Sequence, residues 1–121
     1  MPVVKINIAK GKSGSEKSEI RNAIQYAIKE VFNMNHNEFH HRIYEFEKEN
    51  LSLPPGKSDN YILIELDIFP GREKDVKKLL FKKIEENLIA QNFKKDEIMI
   101  IYREPDLSNW FISGKSGEDM V

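Results

Sequence analysis

A chain of 121 residues with 19 basic and 20 acidic side chains has a formal net charge of −1, which gives no general electrostatic case for nucleic acid or an anionic membrane. It has no cysteine, which excludes disulfides, thiol catalysis and thiolate metal sites and leaves a reducing cytoplasm as the expected location. Its 40% hydrophobic residues suffice for one small core, and no apolar run approaches the ~20 residues of a membrane span.

Val4, Ile6 and Ile8 alternate with Val3, Lys5 and Asn7, the period of a half-buried strand. Lys5 and Lys10 interrupt this segment, so it reads as a strand rather than a signal peptide. The turn "KGKSGS" follows, and Ser13 with Glu16 fits a helix capping box. Ile20, Ala23, Ile24, Ala27, Ile28, Val31 and Phe32 then recur at helical spacing, and "NMNHN" ends the helix. A second strand is expected from Phe39 to Phe46, with Phe39, His41 and Ile43 on one face and Arg42 and Tyr44 on the other. Pro54, Pro55 and Gly56 mark a loop.

The clearest strand follows, with Ile62, Ile64, Leu66 and Ile68 alternating with Leu63, Glu65 and Asp67. "FPGRE" turns into a second helix whose expected apolar face is Val76, Leu79, Leu80, Ile84 and Leu88. Ile98 to Tyr102 is a fourth strand, and the tail from Arg103 onward reads as irregular.

The order is therefore strand, helix, strand, twice over. The halves correspond at an offset of about 60: Gly11-Lys12 answers Gly71-Arg72, and "NEFHHRIYE" from Asn37 answers "DEIMIIYRE" from Asp96. One α/β domain over residues 1–121 is expected, with pseudo-repeats at about 2–46 and 61–104 and a tail over 105–121. Each repeat should be a right-handed crossover between parallel strands. Together they should give a four-stranded sheet with two helices on one face. The other face, including Val3, Tyr61 and Leu63, needs cover, and oligomerisation is the simplest source.

Three features bear on chemistry. Pro2, once Met1 is removed, would carry a free secondary amine. An ordinary α-amine titrates near ~8, and burial lowers that value, so a buried amine can take a proton α to a carbonyl. The structural alternative is a stiff strand start, where the missing N–H is harmless. Arg72 follows a glycine at a strand-to-helix turn, over the strand ends where α/β sheets bind ligands, and its guanidinium fork suits a carboxylate. Lys12 is its counterpart, either an aid to anion attraction or a solvated turn lysine. The histidines point to no metal: His36 and His40 straddle a turn, and His40 and His41 face opposite sides of a strand. "GKS" at Gly11, Gly56 and Gly114 lacks the earlier glycine of a phosphate loop.

A start at Met-Pro, the duplicated strand–helix–strand unit, "PPGKSDNYILIELDIFPGRE" and "EPDLSNW" together resemble double-length members of the tautomerase superfamily, near the malonate semialdehyde decarboxylase and cis-3-chloroacrylic acid dehalogenase groups. The resemblance covers nearly the whole chain. It implies a homotrimer, an amino-terminal proline as catalytic base or acid, no metal or organic cofactor, and Arg72 holding the carboxylate of a small substrate. Trp110 would line the site, with Phe111 or Ile112 adding to its apolar wall, or would pin the tail to a neighbouring subunit. From its own strand face, Tyr44 could reach the pocket as a donor. The decarboxylase and dehalogenase members carry an arginine where Pro70 stands here and an aspartate where Asn37 stands. Asn37 could position a substrate or cap the first helix, but an amide cannot act as a base. The departures leave a keto–enol tautomerase acting on a small 2-keto acid as the expected activity. Decarboxylation or hydration of a small 3-oxo or unsaturated acid is one alternative, and a non-catalytic trimeric binding protein is another.

Overall fold

The computed structural model describes residues 2–34 and 39–120. Its main elements are β1 (Val3–Ala9), α1 (Gly14–Phe32), β2 (His40–Phe46), β3 (Ile62–Asp67), α2 (Lys74–Ile89) and β4 (Ile98–Arg103), followed by the short strands β5 (Phe111–Ile112) and β6 (Lys115–Ser116).

The expected capping box opens α1. The Ser13 hydroxyl accepts from the Glu16 N–H at 3.1 Å, and the Glu16 carboxylate accepts from the Ser13 N–H at 2.9 Å. Two of the amides that a helix start leaves open are thereby satisfied. Asn33 ends the helix in the left-handed region at φ 53°, a conformation that asparagine tolerates.

The sheet order is β2-β1-β3-β4. β1 runs parallel to β2 with Val3 opposite His40, and β3 runs parallel to β4 with Ile62 opposite Ile98. The two units join through an antiparallel pair, with Val3 opposite Asp67 and Asn7 opposite Leu63. Val4, Ile6, Ile8, Ile62, Ile64 and Leu66 are buried against Ile20, Ile24 and Ile28 of α1 and Leu80, Ile84 and Leu88 of α2. The helices are also stitched directly, as the Asn87 amide donates to the Ala23 carbonyl and the Gln91 amide to the Glu19 carbonyl, both at 2.9 Å. The architecture is the expected one: two strand–helix–strand units, a four-stranded sheet, and both helices on one face.

Two details depart from expectation. Leu79, expected on the buried face of α2, is 58% exposed. It lies ~100° around the helix from Leu80, outside the strip made by Leu80, Ile84 and Leu88. The tail is also ordered rather than irregular. Ser113 and Gly114 both take positive φ, as a two-residue hairpin turn of the primed kind requires, and join β5 to β6. The Gly117 N–H then donates to the Trp110 carbonyl at 2.8 Å. A Cβ on Gly117 would come within 2.4 Å of the Leu107 carbonyl oxygen, so the close return needs glycine.

The face away from the helices carries half-buried Val3, Tyr61 and Leu63. Beside them runs a ladder of charges. Lys5 pairs with Asp67 at 3.8 Å, Arg103 with Glu65 at 2.7 Å and with Asp67 at 3.7 Å, and the Asn7 amide donates to Glu65 at 2.9 Å.

Candidate active site

The antiparallel register decides what lies at each end of the sheet. Because Val3 faces Asp67, the start of β1 and the end of β3 share one end, and the turn into α2 leaves from there. Pro2 stands two residues before Val4, in the alternation that turns Val4, Ile6 and Ile8 toward the helices, and it is buried. Its carbonyl accepts from the His40 N–H at 3.2 Å, which ties the chain start to the start of β2.

Gly71 makes the turn at φ 120°, a value L side chains rarely adopt. Arg72 follows and folds back. Its Nη1 donates to the Phe69 carbonyl at 3.3 Å, and its guanidinium lies 3.8 Å over the ring of Phe32, the last residue of α1. Phe69 meets Trp110 edge-on at 4.9 Å between centroids, and the Trp110 Nε1–H donates to the Pro105 carbonyl at 3.0 Å. A chain of direct contacts thus links Phe32, Arg72, Phe69 and Trp110.

Tyr102 completes this end from β4. Its hydroxyl is buried with no well-formed hydrogen bond. Lys77, paired with Glu104, lies 5.2 Å over its ring, and Phe81 meets it edge-on at 6.2 Å. Burial pushes the phenol above its ordinary 10, an effect partly offset by the nearby Arg72 charge, so it stays neutral.

The other expected site residues lie apart. Lys12 is at the opposite end of the sheet, where it is half-buried and bonded to Asn60 rather than solvated. Tyr44 is exposed on β2, paired with Asn7 on the face away from the helices. Ile112 is half-buried in the terminal hairpin two residues beyond Trp110, while Phe111 is 76% exposed. Asn37 and His36 lie outside the described residues. His41 packs on Phe39 on the helix side of β2, as expected. Phe32, Phe69 and Tyr102 escaped the sequence reading. Phe32 looked like one more core position, and nothing in a local pattern marks an aromatic ring as the seat of a distant cation.

A family model described as tautomerase enzyme matches residues 37–113, well over half of the chain, and the chain belongs to that family. Arg72 and Trp110 fall inside the matched stretch and Pro2 before it. A search of curated protein sequences returns no match. Among solved structures, the chain is similar to a malonate semialdehyde decarboxylase studied for decarboxylase and hydratase activities, with TM-score 0.85 and 15% identity over 98% of this chain and 95% of that one. It is similar to native fused 4-OT, with TM-score 0.88 and 12% identity over 98% of each chain. A symmetric trimer of fused 4-OT gives TM-score 0.84 and 14% identity over 96% of each. These likenesses carry the fold.

Proposed function

We propose that this protein is a cofactor-independent keto–enol tautomerase acting on a small 2-keto acid, assembled as a homotrimer. The reading is carried by one observation: buried Pro2 and the Arg72 turn share one end of the sheet in a chain of the tautomerase family. With Met1 removed, the Pro2 amine takes a proton from the carbon next to the keto group, and the electron pair moves to make the enol. The charged amine returns a proton in the reverse direction. Arg72 holds the substrate carboxylate through its remaining N–H groups. Phe69 and Trp110 form an apolar wall beside it, which disfavours the charged amine and keeps Pro2 available as a base. Asn37 positions the keto oxygen. The trimer covers the sheet face that bears Val3, Tyr61 and Leu63, in keeping with the trimeric form of one similar structure.

The test is ketonisation of an enol acid such as enol-phenylpyruvate, followed by ultraviolet absorbance, alongside intact mass. Activity in a preparation lacking Met1 supports the reading. Retention of Met1 with no activity favours a binding protein instead. The likeness to malonate semialdehyde decarboxylase favours a second reading, decarboxylation or hydration of a small acid on the same scaffold. Product analysis with a 3-oxo acid separates the two.

A further inference from the structure

The antiparallel pairing of β1 with β3 relates the halves of the chain by a pseudo-twofold axis, so the turn that carries Arg72 has a counterpart at the other end. Gly11 takes φ 130° where Gly71 takes 120°, and a cation follows each. Both helices are followed by a left-handed asparagine, Asn33 at φ 53° and Asn92 at φ 71°. An aromatic ring adjoins each asparagine. Arg72 lies 3.8 Å over Phe32, and Lys12 lies 5.1 Å over Phe93. The two cation seats are built alike.

They differ in what the cation meets. The Lys12 ammonium donates to the Asn60 side-chain oxygen at 2.7 Å. Asn60 is itself anchored: its amide nitrogen donates to the Asn92 carbonyl at 3.5 Å, and its backbone N–H to the Ser58 hydroxyl at 3.2 Å. Ser58 in turn is bound through both its N–H and hydroxyl by the buried Glu97 carboxylate at 2.6 Å. The cleft here, about 290 Å³, is lined by Gly11, Lys12, Lys48, Asp59 and Asn60 among others. Lys10 and Lys48 are matched by carboxylates, Glu47 at 2.9 Å and Asp59 at 3.0 Å. The hydrogen-bond partner of Lys12 is a neutral amide.

We infer that Lys12 and Phe93 form a second carboxylate cradle, pseudo-symmetric to Arg72 and Phe32, which the Asn60 side chain holds closed. The amide oxygen stands where a ligand carboxylate oxygen would sit. A carboxylate is the stronger acceptor for an ammonium. A tethered acceptor, however, competes at an effective concentration on the order of millimolar. A weakly held small acid therefore does not displace it. The ligand class rests on the carboxylate role proposed for Arg72; the closure by Asn60 stands on the geometry at its own end.

Isothermal titration calorimetry of the full chain with pyruvate tests this. The wild type should bind one pyruvate per chain, and Arg72→Ala should lose that event. Asn60→Ala should gain a second, weaker event, which the double variant K12A/N60A loses. Asn60→Ser, too short to reach Lys12, should repeat the gain if the alanine variant folds poorly. A folded Asn60 variant that binds no more pyruvate than the wild type overturns the inference, as does a wild type whose second event disappears in Lys12→Ala. Absence of the Arg72-dependent event counts against the proposed function alone, since the events at the Lys12 end are read separately.

Discussion

The Arg72 guanidinium lies 3.8 Å over the ring of Phe32, so the last residue of the first helix seats the cation that precedes the second. Such a contact contributes roughly 0.5–2 kcal/mol, depending on desolvation, and it fixes where the charge points. Phe32→Ala should raise KM for a carboxylate substrate several-fold with little change in kcat, and Phe32→Tyr should restore it. A kcat loss with KM unchanged would show that the ring serves something other than Arg72.

Removal of the cation itself should cost more. A hydrogen bond to a charged group contributes about 1.5–3 kcal/mol, so Arg72→Ala should raise KM by about 10- to 100-fold. Arg72→Lys should fall between, because an ammonium keeps the charge and loses the fork. Steady-state kinetics on an enol acid would measure both, and an unchanged KM would take Arg72 out of the site.

Pro2→Ala should reduce kcat by about 10²- to 10⁴-fold, the usual share of a positioned proton-transfer group. The circular dichroism spectrum should stay that of the parent, since Pro2 precedes β1 and supplies only its carbonyl to the bond with His40. Full activity in a folded Pro2→Ala variant would end the amine mechanism.

Ile64 is fully buried at the centre of β3, between β1 and β4. Ile64→Ala should destabilise the chain by about 2–5 kcal/mol, read from the urea midpoint. A loss below 1 kcal/mol would mean that the core there collapses to fill the gap.

Both ring nitrogens of His41 are buried without a hydrogen-bond partner. Burial first, then the charges of Arg21 and His40, lower its pKa below the ordinary 6.5. As pH falls, the unfolded chain takes up this proton before the folded one, so stability declines from about pH 6.5 downward. The carboxylates of Glu65 and Glu97, held below 4.5 by hydrogen bonds from Arg103 and Ser58 respectively, add their own losses only at lower pH. The urea midpoint should drop between pH 7.5 and 5.5, and His41→Phe should flatten that drop. A wild-type midpoint equal at the two pH values would contradict the assignment.

Most of the fold was legible because its elements are long and their periods clean. Ile62, Ile64 and Leu66 alternate without a break, and Ile20 to Ile28 keep helical spacing. The duplication then fixed the layout. The hairpin around Ser113 and Gly114 was missed because two-residue strands are too short to show a period. Leu79 was misplaced because a helical wheel cannot tell the edge of a stripe from its centre. Within the candidate site, Arg72 was legible from its glycine turn, whereas Tyr102 was not, because its position depends on which end of β4 meets that turn. The pairing of β4 with β3, which sets Tyr102 opposite Leu66, decides this, and no local pattern encodes a long-range register.

The charge ladder on the uncovered face has a consequence for assembly. Lys5 and Arg103 are already matched within the chain by Glu65 and Asp67, two positive charges against two negative. A second copy laid over these residues would meet a lattice of ion pairs with no net charge to neutralise. Its attachment would then come from the apolar side chains around them, so added salt should weaken the association little, while cooling should loosen it.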